Sequence, residues 1–150
     1  MFKNITTKSL IFLLVLGWPS ILLGQEIISG FASVIDGDTI RLNNTKIRLL
    51  GIDAPDKGKT PQAAFYLDAK NVLADFVGQH EISCRPTGDK SYDRIVAICF
   101  LGKIDLSAYM VEKGYAVDWY NYSKGAYADE MKIAQQKKLG IWQTIKKSWR

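Results

Sequence analysis

The pattern of apolar and polar residues between positions 28 and 53 predicts three short β-strands joined by tight turns. In "ISGFASVIDGDTIRL", two runs that suit β-strands flank an Asp36-Gly37 turn, which is a strong hairpin signal. After a second turn at Asn43-Asn44, the run "TKIRLLGI" predicts a third strand.

Residues 61–77 predict an amphipathic helix, because their apolar side chains recur about every 3.6 residues. Thr60 would cap this helix and Pro61 would begin it. The segments "HEISCR" and "RIVAICFL" predict two further strands on either side of the polar loop "PTGDKSYD".

Two shorter helices are predicted near the end of the chain. One begins at Asp105 and ends at Gly114, and the other covers residues 126–139 and ends at Gly140. Five short strands with glycine-rich turns and three helices predict an α+β fold. In it, the strands close into a small barrel and the helices pack at one end.

The only two cysteines, Cys84 and Cys99, lie in the last two predicted strands. If these strands pair across their loop, directly opposed Cα atoms would be about 4.5–5.5 Å apart, which a disulfide tolerates. The pattern therefore predicts one disulfide, with two buried free thiols as the alternative.

The first 24 residues differ in kind from the rest. A basic start, "MFKNITTKSL", precedes the apolar run "LIFLLVLGWPSILLG", which Pro19 interrupts. This pattern predicts a signal peptide over residues 1–24, one domain over residues 25–150, and export to the periplasm or the medium. An uncleaved membrane anchor is the alternative, although the run is shorter than the ~20 apolar residues that a spanning helix needs.

The overall composition is that of a globular domain, with 47% apolar and 23% charged residues. Without the two lysines of the first 24 residues, the chain has 18 basic and 15 acidic side chains. This mild positive charge suits a polyanionic partner and suits an ordinary solvated surface equally well.

Two aspartates predict a cation site at one end of the barrel. If the second and third strands pair, Asp38 in the hairpin and Asp53 at the end of the third strand reach the same end. Nearby carboxylates repel unless they are protonated or bridged by a cation, and Ca²⁺ prefers such oxygen ligands. Ordinary turn chemistry is the alternative explanation for Asp38.

Two arginines predict a phosphate site beside that cation. Arg48 and Arg94 lie on different strands, and a guanidinium matches a phosphate with two hydrogen bonds. Asp56, just beyond Pro55, is then a candidate general base for water. The alternatives are ordinary salt bridges, such as Arg48 with Asp53, and a solvated loop acid at Asp56.

Four motifs in one order resemble the staphylococcal-nuclease (thermonuclease) family: "DGDT" at 36–39, "RLLGIDAPD" at 48–56, "YDRIVA" at 92–97 and "GIW" at 140–142. The resemblance extends over residues 28–142. It implies a five-stranded oligonucleotide-binding (OB-fold) barrel with three helices. It also implies a calcium-dependent phosphodiesterase that hydrolyses DNA and RNA and leaves 3′-phosphates.

Matched position by position, the resemblance assigns site residues. The calcium ligands would be Asp38 and Asp53. The residues that hold the phosphate would be Arg48 and Arg94, and Asp56 would activate water. Tyr120 matches an active-site tyrosine and Tyr92 a substrate-side position, while Trp119 and Tyr122 either stack bases or complete the core.

Two residues depart from the family pattern and leave a second hypothesis open. Asp56 replaces a glutamate and Asp93 replaces a glycine. The alternative function is therefore a catalytically weak or inactive nucleic-acid-binding module. A helper role in envelope or exopolysaccharide assembly is a third hypothesis, supported only by the predicted export. We expect a monomer without a stable protein partner.

Overall fold

Five strands close into a barrel, as the hydrophobic pattern predicts. The computed structural model describes residues 26–58 and 61–145, so the predicted signal peptide and Thr60 lie outside the described residues. The strands in chain order are β1 (Ile28–Asp36), β2 (Thr39–Leu42), β3 (Thr45–Leu49), β4 (Ile52–Asp53), β5 (Glu81–Ser91), β6 (Arg94–Leu101), β7 (Ile104–Asp105) and β8 (Val117–Asp118). Antiparallel neighbours run β3-β2-β1-β5-β6, and a parallel pairing of β3 with β6 closes the ring.

Three helices lie where the sequence predicts them, with different ends, and a short additional helix follows β8. They are α1 (Tyr66–Val77), α2 (Leu106–Glu112), α3 (Tyr120–Ser123) and α4 (Ala128–Gln136). The predicted helix 61–77 begins with a 3₁₀ turn, Pro61–Phe65, and the predicted helix 126–139 is confined to α4. Within the two described ranges, no helix is both long and apolar enough to cross a bilayer.

The first hairpin turns one residue later than predicted. Asp36 pairs with Thr39, which leaves Gly37 and Asp38 at the tip, because the register of β1 shifts just before the turn. A side chain at Gly37 would place a Cβ atom 2.7 Å from the Cβ of Ala54. The tip is therefore packed tightly against the chain that follows β4.

The predicted loop "PTGDKSYD" is mostly strand. β5 continues to Ser91 and pairs with β6 as far as Arg94, so only Tyr92 and Asp93 form the turn. The register of the β5–β6 pair shifts between Pro86 and Lys90. The residues there are mostly polar and exposed, but they can still extend the strand because its ladder hydrogen bonds are made by the backbone.

The third predicted strand is also interrupted. β3 ends at Leu49, the chain bends at Leu50-Gly51, and the short β4 pairs with β8 rather than continuing the barrel. Gly51 has φ +73°, a conformation that glycine adopts without steric cost. Because of the bend, β3 and β4 are two separate segments at this end of the barrel, and both carry charged residues.

The core fills the barrel and extends under the helices. Fully buried apolar side chains from the strands and from α1 and α2 form one cluster, which includes Ile40, Leu42, Ile47, Leu73, Leu106 and Met110. Burial of each such side chain contributes about 1.5–3 kcal/mol before conformational entropy is counted.

The two cysteines lie directly opposite each other, as predicted. Cys84 and Cys99 are register partners in the β5–β6 ladder, their Cα atoms are 4.0 Å apart, and a disulfide joins them. Both side chains are fully buried.

Reduction of this disulfide should lower the free energy of unfolding by about 3 kcal/mol, because the bond closes a 15-residue loop in the unfolded chain. Urea unfolding of the oxidised protein, compared with protein refolded under reductant, gives the difference. Two free thiols in the mass spectrum of the oxidised protein would contradict the prediction, as would identical unfolding curves.

Candidate active site

Arg48 lies buried between two carboxylates at one end of the barrel. Its Nη1 atom is in direct contact with Oδ2 of Asp38, and its Nη2 atom lies 3.5 Å from Oδ1 of Asp53. Nη2 also donates a hydrogen bond to the carbonyl oxygen of Ile52, 2.8 Å away. The exposed fractions of Arg48, Asp38 and Asp53 are only 8%, 6% and 3%. The structure therefore brings together three of the predicted site residues. The sequence offered the salt bridge of Arg48 with Asp53 as an alternative, whereas the contact of Arg48 with Asp38 is new.

The hairpin tip holds the carboxylate of Asp38 in place. The hydroxyl of Thr39 donates to Oδ1 over 3.1 Å, and the N–H of Ala54 donates to Oδ2 over 2.9 Å. The N–H of Asp38 itself donates to Oδ1 of Asp36 over 3.1 Å. Because Ala54 follows directly after Asp53, this bond ties the β1–β2 turn to the segment that carries the second carboxylate.

The electrostatics of the cluster are set by burial. Burial lowers the pKa of Arg48 to about 10, the negative charge of Asp53 raises it, and the positive charge of Arg94 lowers it further. A pKa near 10 is well above neutral pH, so the guanidinium stays charged there. The negative charges of Asp36 and Asp56 raise the pKa of Arg48 as well, so several carboxylates act at this end of the barrel and would attract a further cation.

Arg94 is linked to the same cluster through Thr39, a residue for which the sequence predicts no role at the site. Its Nη1 atom donates to the hydroxyl of Thr39 over 2.9 Å, and its Nη2 atom donates to the hydroxyl of Ser91 over 3.1 Å. Since Thr39 in turn donates to Asp38, one hydroxyl links the second arginine to the buried carboxylate. The only sequence signal for this role is the last position of the "DGDT" motif.

Asp56 lies close to this cluster but outside it. The residue is exposed on the loop after Pro55, whereas Asp53 is buried. Its charge still acts on Arg48, because it raises the pKa of that guanidinium. An exposed acid near a buried arginine can reach a water molecule at the surface of the site.

Two cavities flank Tyr92. The larger, about 530 Å³, extends from Arg48 past Ser91 to Trp119 and Tyr122. The smaller, about 260 Å³, lies beside Arg94 and is also lined by Asp36, Thr39 and Lys46. Tyr92 lines both cavities, is 94% exposed, and has its ring centre 5.9 Å from the guanidinium of Arg94.

The aromatic residues after β8 divide into two groups. The rings of Trp119 and Tyr122 lie edge to face, 4.4 Å apart, and line the larger cavity. Tyr120 is 68% exposed and lines neither of the two cavities described above. The structure thus brings Tyr122 to the cavity beside Arg48, and the active-site role of Tyr120 stays a prediction.

The unusual Asp93 is paired with a lysine. Its Oδ2 atom lies 2.5 Å from Nζ of Lys46 on β3, and this hydrogen bond is the main reason that its pKa is lowered. The extra acid before Arg94 therefore has its own cation on a neighbouring strand.

The donor atoms of the cluster fit a hard cation. Asp38 and Asp53 provide carboxylate oxygens, which Ca²⁺ prefers over nitrogen or sulfur. Among the residues that the structure describes, no group of three or more histidines, cysteines, aspartates and glutamates is arranged to hold a metal. A cation here would therefore need carbonyl oxygens or water as further ligands, and it would share the two carboxylates with Arg48.

Comparison with known proteins gives one family. The sequence model described as "Staphylococcal nuclease homologue" matches residues 46–144, which is most of the chain. The match includes both arginines and the second aspartate of the cluster.

Curated relatives agree with that family. "Succinoglycan biosynthesis protein ExoI" of Rhizobium meliloti is 35% identical over 78% of this chain and 65% of its own length. "Uncharacterized endonuclease" of Haemophilus influenzae is 31% identical over 73% of this chain and 62% of its own length. "Probable endonuclease LCL3" of Candida tropicalis is 35% identical over 67% of this chain and 48% of its own length. The chain thus spans about half to two thirds of these relatives. Together with the five-stranded barrel, the match of the family model shows that the chain belongs to the staphylococcal nuclease homologue family.

Proposed function

We propose that this protein is a calcium-dependent phosphodiesterase that hydrolyses DNA and RNA at the Arg48 end of the barrel. The observation that carries the proposal is the burial of Arg48 between Asp38 and Asp53, at the edge of a cavity of about 530 Å³. Membership of the family and the endonuclease names of several relatives support a nuclease at the coarser level.

The two arginines would hold the scissile phosphate. A guanidinium carries five N–H donors in a planar fork, so each arginine can bind phosphate oxygens beside or in place of its present partners. Arg48 and Arg94 are linked through Thr39 and Asp38, so their relative positions are fixed before substrate arrives. Asp38 and Asp53 would hold Ca²⁺, which when bound supplies positive charge that polarises a phosphate oxygen.

Asp56 would act as the general base. It would accept a proton from a water molecule whose oxygen attacks phosphorus, while the bond from phosphorus to the 5′-oxygen breaks and that oxygen leaves as a hydroxyl after taking a proton from solvent. The 3′-oxygen keeps the phosphate, so the products carry 3′-phosphates. The exposed position of Asp56 and its effect on the pKa of Arg48 are consistent with this role.

The aromatic residues would bind the bases of the substrate. Tyr92, Trp119 and Tyr122 line the cavity beside Arg48, and base stacking on such rings is worth about 1–3 kcal/mol per base. A substrate role for Tyr120 stays a prediction, as does the monomeric state.

Export is also part of the proposal. The predicted signal peptide, residues 1–24, would direct the domain, residues 25–150, to the periplasm or the medium. The buried disulfide supports this location, because such bonds persist mainly in oxidising compartments.

A nucleic-acid-binding barrel with little hydrolytic activity is the second candidate. It is favoured by Asp56, because a carboxylate one methylene shorter than glutamate places its oxygens about 1 Å away, and such misplacement costs about 10²-fold in rate. A role in exopolysaccharide biosynthesis stays a hypothesis that draws only on the printed name of one relative. The experiments below separate an enzyme from a binding module.

Cleavage of denatured DNA should require Ca²⁺ in the millimolar range that is typical of extracellular sites, and a chelator should abolish it. Without a cation, two carboxylates that share one guanidinium would repel the phosphate. The assay measures the release of acid-soluble nucleotides with calcium, with chelator, and after calcium is added back. An undiminished rate in chelator would overturn the assignment of Asp38 and Asp53.

Asp56→Ala should lose most of the activity, about 10²-fold, while Asp56→Glu should retain or raise it. Asp75→Ala removes an exposed acid from α1 and serves as the matched control. If Asp56→Ala cleaves DNA as fast as the parent and still needs calcium, Asp56 is not the general base.

Arg48→Ala and Arg94→Ala should each reduce activity at least as much as Asp56→Ala, but they should differ in stability. Loss of Arg48 leaves two buried carboxylates without their shared partner and should cost about 3–5 kcal/mol of unfolding free energy. Arg94 is only half-buried, so its variant should lose much less. Urea unfolding and initial rates, with exposed Arg85→Ala as the control, measure both effects. Equal stability of the two variants would contradict the central place of Arg48.

A further inference from the structure

A single bend separates the two halves of the buried charge cluster. Arg48 lies at the end of β3 and Asp53 on β4, and the chain turns between them at Leu50-Gly51. Gly51 has φ +73°, and a Cβ atom there would lie 2.8 Å from the Cβ of Ser123. The conformation of this bend therefore decides how the carboxylate of Asp53 sits relative to the guanidinium.

Both carbonyl groups of the bend are held from outside the barrel. The hydroxyl of Ser107 on α2 donates to the carbonyl oxygen of Leu50 over 3.0 Å. The N–H of Trp119 donates to the carbonyl oxygen of Gly51 over 2.8 Å. Of these two donors, Ser107 is the one that a conservative side-chain substitution can remove.

The backbone of Ser107 is held in turn by the half-buried Asp105, which is paired with Tyr127. The N–H of Ser107 donates to Oδ1 of Asp105 over 2.7 Å, and the hydroxyl of Tyr127 donates to Oδ2 of Asp105 over 3.1 Å. Ser107 is fully buried and Tyr127 is 7% exposed. The ring of Tyr127 also approaches the bend, with its Cε2 atom 3.2 Å from where a Cβ atom at Gly51 would lie.

We propose that Ser107, held by Asp105 and Tyr127, is a positioning residue that sets the geometry of Arg48 and Asp53 through the Leu50 carbonyl. It would not touch the substrate. The carbonyl oxygen of Ile52, two residues after Leu50, accepts from Arg48, so a shift of the bend changes the partners of the guanidinium. The kinetic test of this role rests on the proposed nuclease function, but the spectroscopic test does not.

Ser107→Ala should lower kcat for denatured DNA by about 10-fold or more and leave KM nearly unchanged. Displacements on the 1 Å scale cost up to about 10²-fold in rate. The bend lines part of the larger cavity, but the rings of Tyr92 and Tyr122 on its other walls should keep their places and continue to bind the bases. Val111→Ala is the matched control, because it removes buried apolar volume from the same helix without removing a donor to the bend. If Ser107→Ala loses no more kcat than Val111→Ala at a temperature where both are folded, the positioning role is wrong.

A second readout does not depend on activity. The guanidinium N–H signals of Arg48 in the NMR spectrum should shift and exchange faster in Ser107→Ala and in Tyr127→Phe, while the signals of Arg94 stay close to those of the parent. The control is Tyr109→Phe. Tyr109 lies on α2, as Ser107 does, and its ring stacks on Phe76, so this variant should leave the Arg48 signals unchanged.

The two tests fail in distinguishable ways. A folded parent that cleaves no nucleic acid contradicts the proposed function, and the Arg48 signals then still decide the positioning role. If Ser107→Ala does not fold, both kcat and the Arg48 N–H signals are measured on Tyr127→Phe instead. Arg48 signals that are unchanged in the variants that fold would overturn the positioning role even for an active nuclease.

Discussion

The structure depends above all on one buried guanidinium that is shared by two carboxylates. Arg48 contacts Asp38 from the β1–β2 hairpin and lies near Asp53 on β4, so one side chain joins three segments at the end of the barrel. Buried ion pairs seldom add net stability, since apolar residues of similar volume stabilise a core at least as well. A charge cluster placed against an otherwise apolar core is therefore consistent with the active site proposed above.

Close backbone packing keeps these segments in register with one another. The hairpin tip at Gly37 packs against Ala54 with no room for a side chain, and the bend at Gly51 packs equally tightly against Ser123. The N–H of Ala54 then reaches the carboxylate of Asp38. Ser107 on α2 and Tyr127, which immediately precedes α4, contact the bend and so connect the helical part of the fold to the charged end of the barrel.

Much of this architecture can be predicted from the sequence, because local patterns determine it. Alternating strands and turn residues predict the barrel, and paired strands with one cysteine each predict the disulfide. The meeting of Asp38, Arg48 and Asp53 follows from the strand ends at which they lie.

The remaining features depend on register and long-range contacts that no local pattern contains. The bond between Lys46 and Asp93 joins residues 47 positions apart, and the bond between Ser107 and the Leu50 carbonyl joins residues 57 apart. The choice of Tyr122 over Tyr120 at the cavity depends on how the short helix α3 is oriented.

The most direct test of the central claim is the initial rate of cleavage of denatured DNA by Asp38→Asn and Asp53→Asn, each compared with the parent in calcium. Each substitution keeps the shape of the side chain and removes one charge beside Arg48. If the two carboxylates serve catalysis, both variants should fold and lose about 10²-fold or more of the rate, on the scale expected for loss of a key electrostatic group. Parental rates in both folded variants would show that the cluster is only structural and would contradict the account.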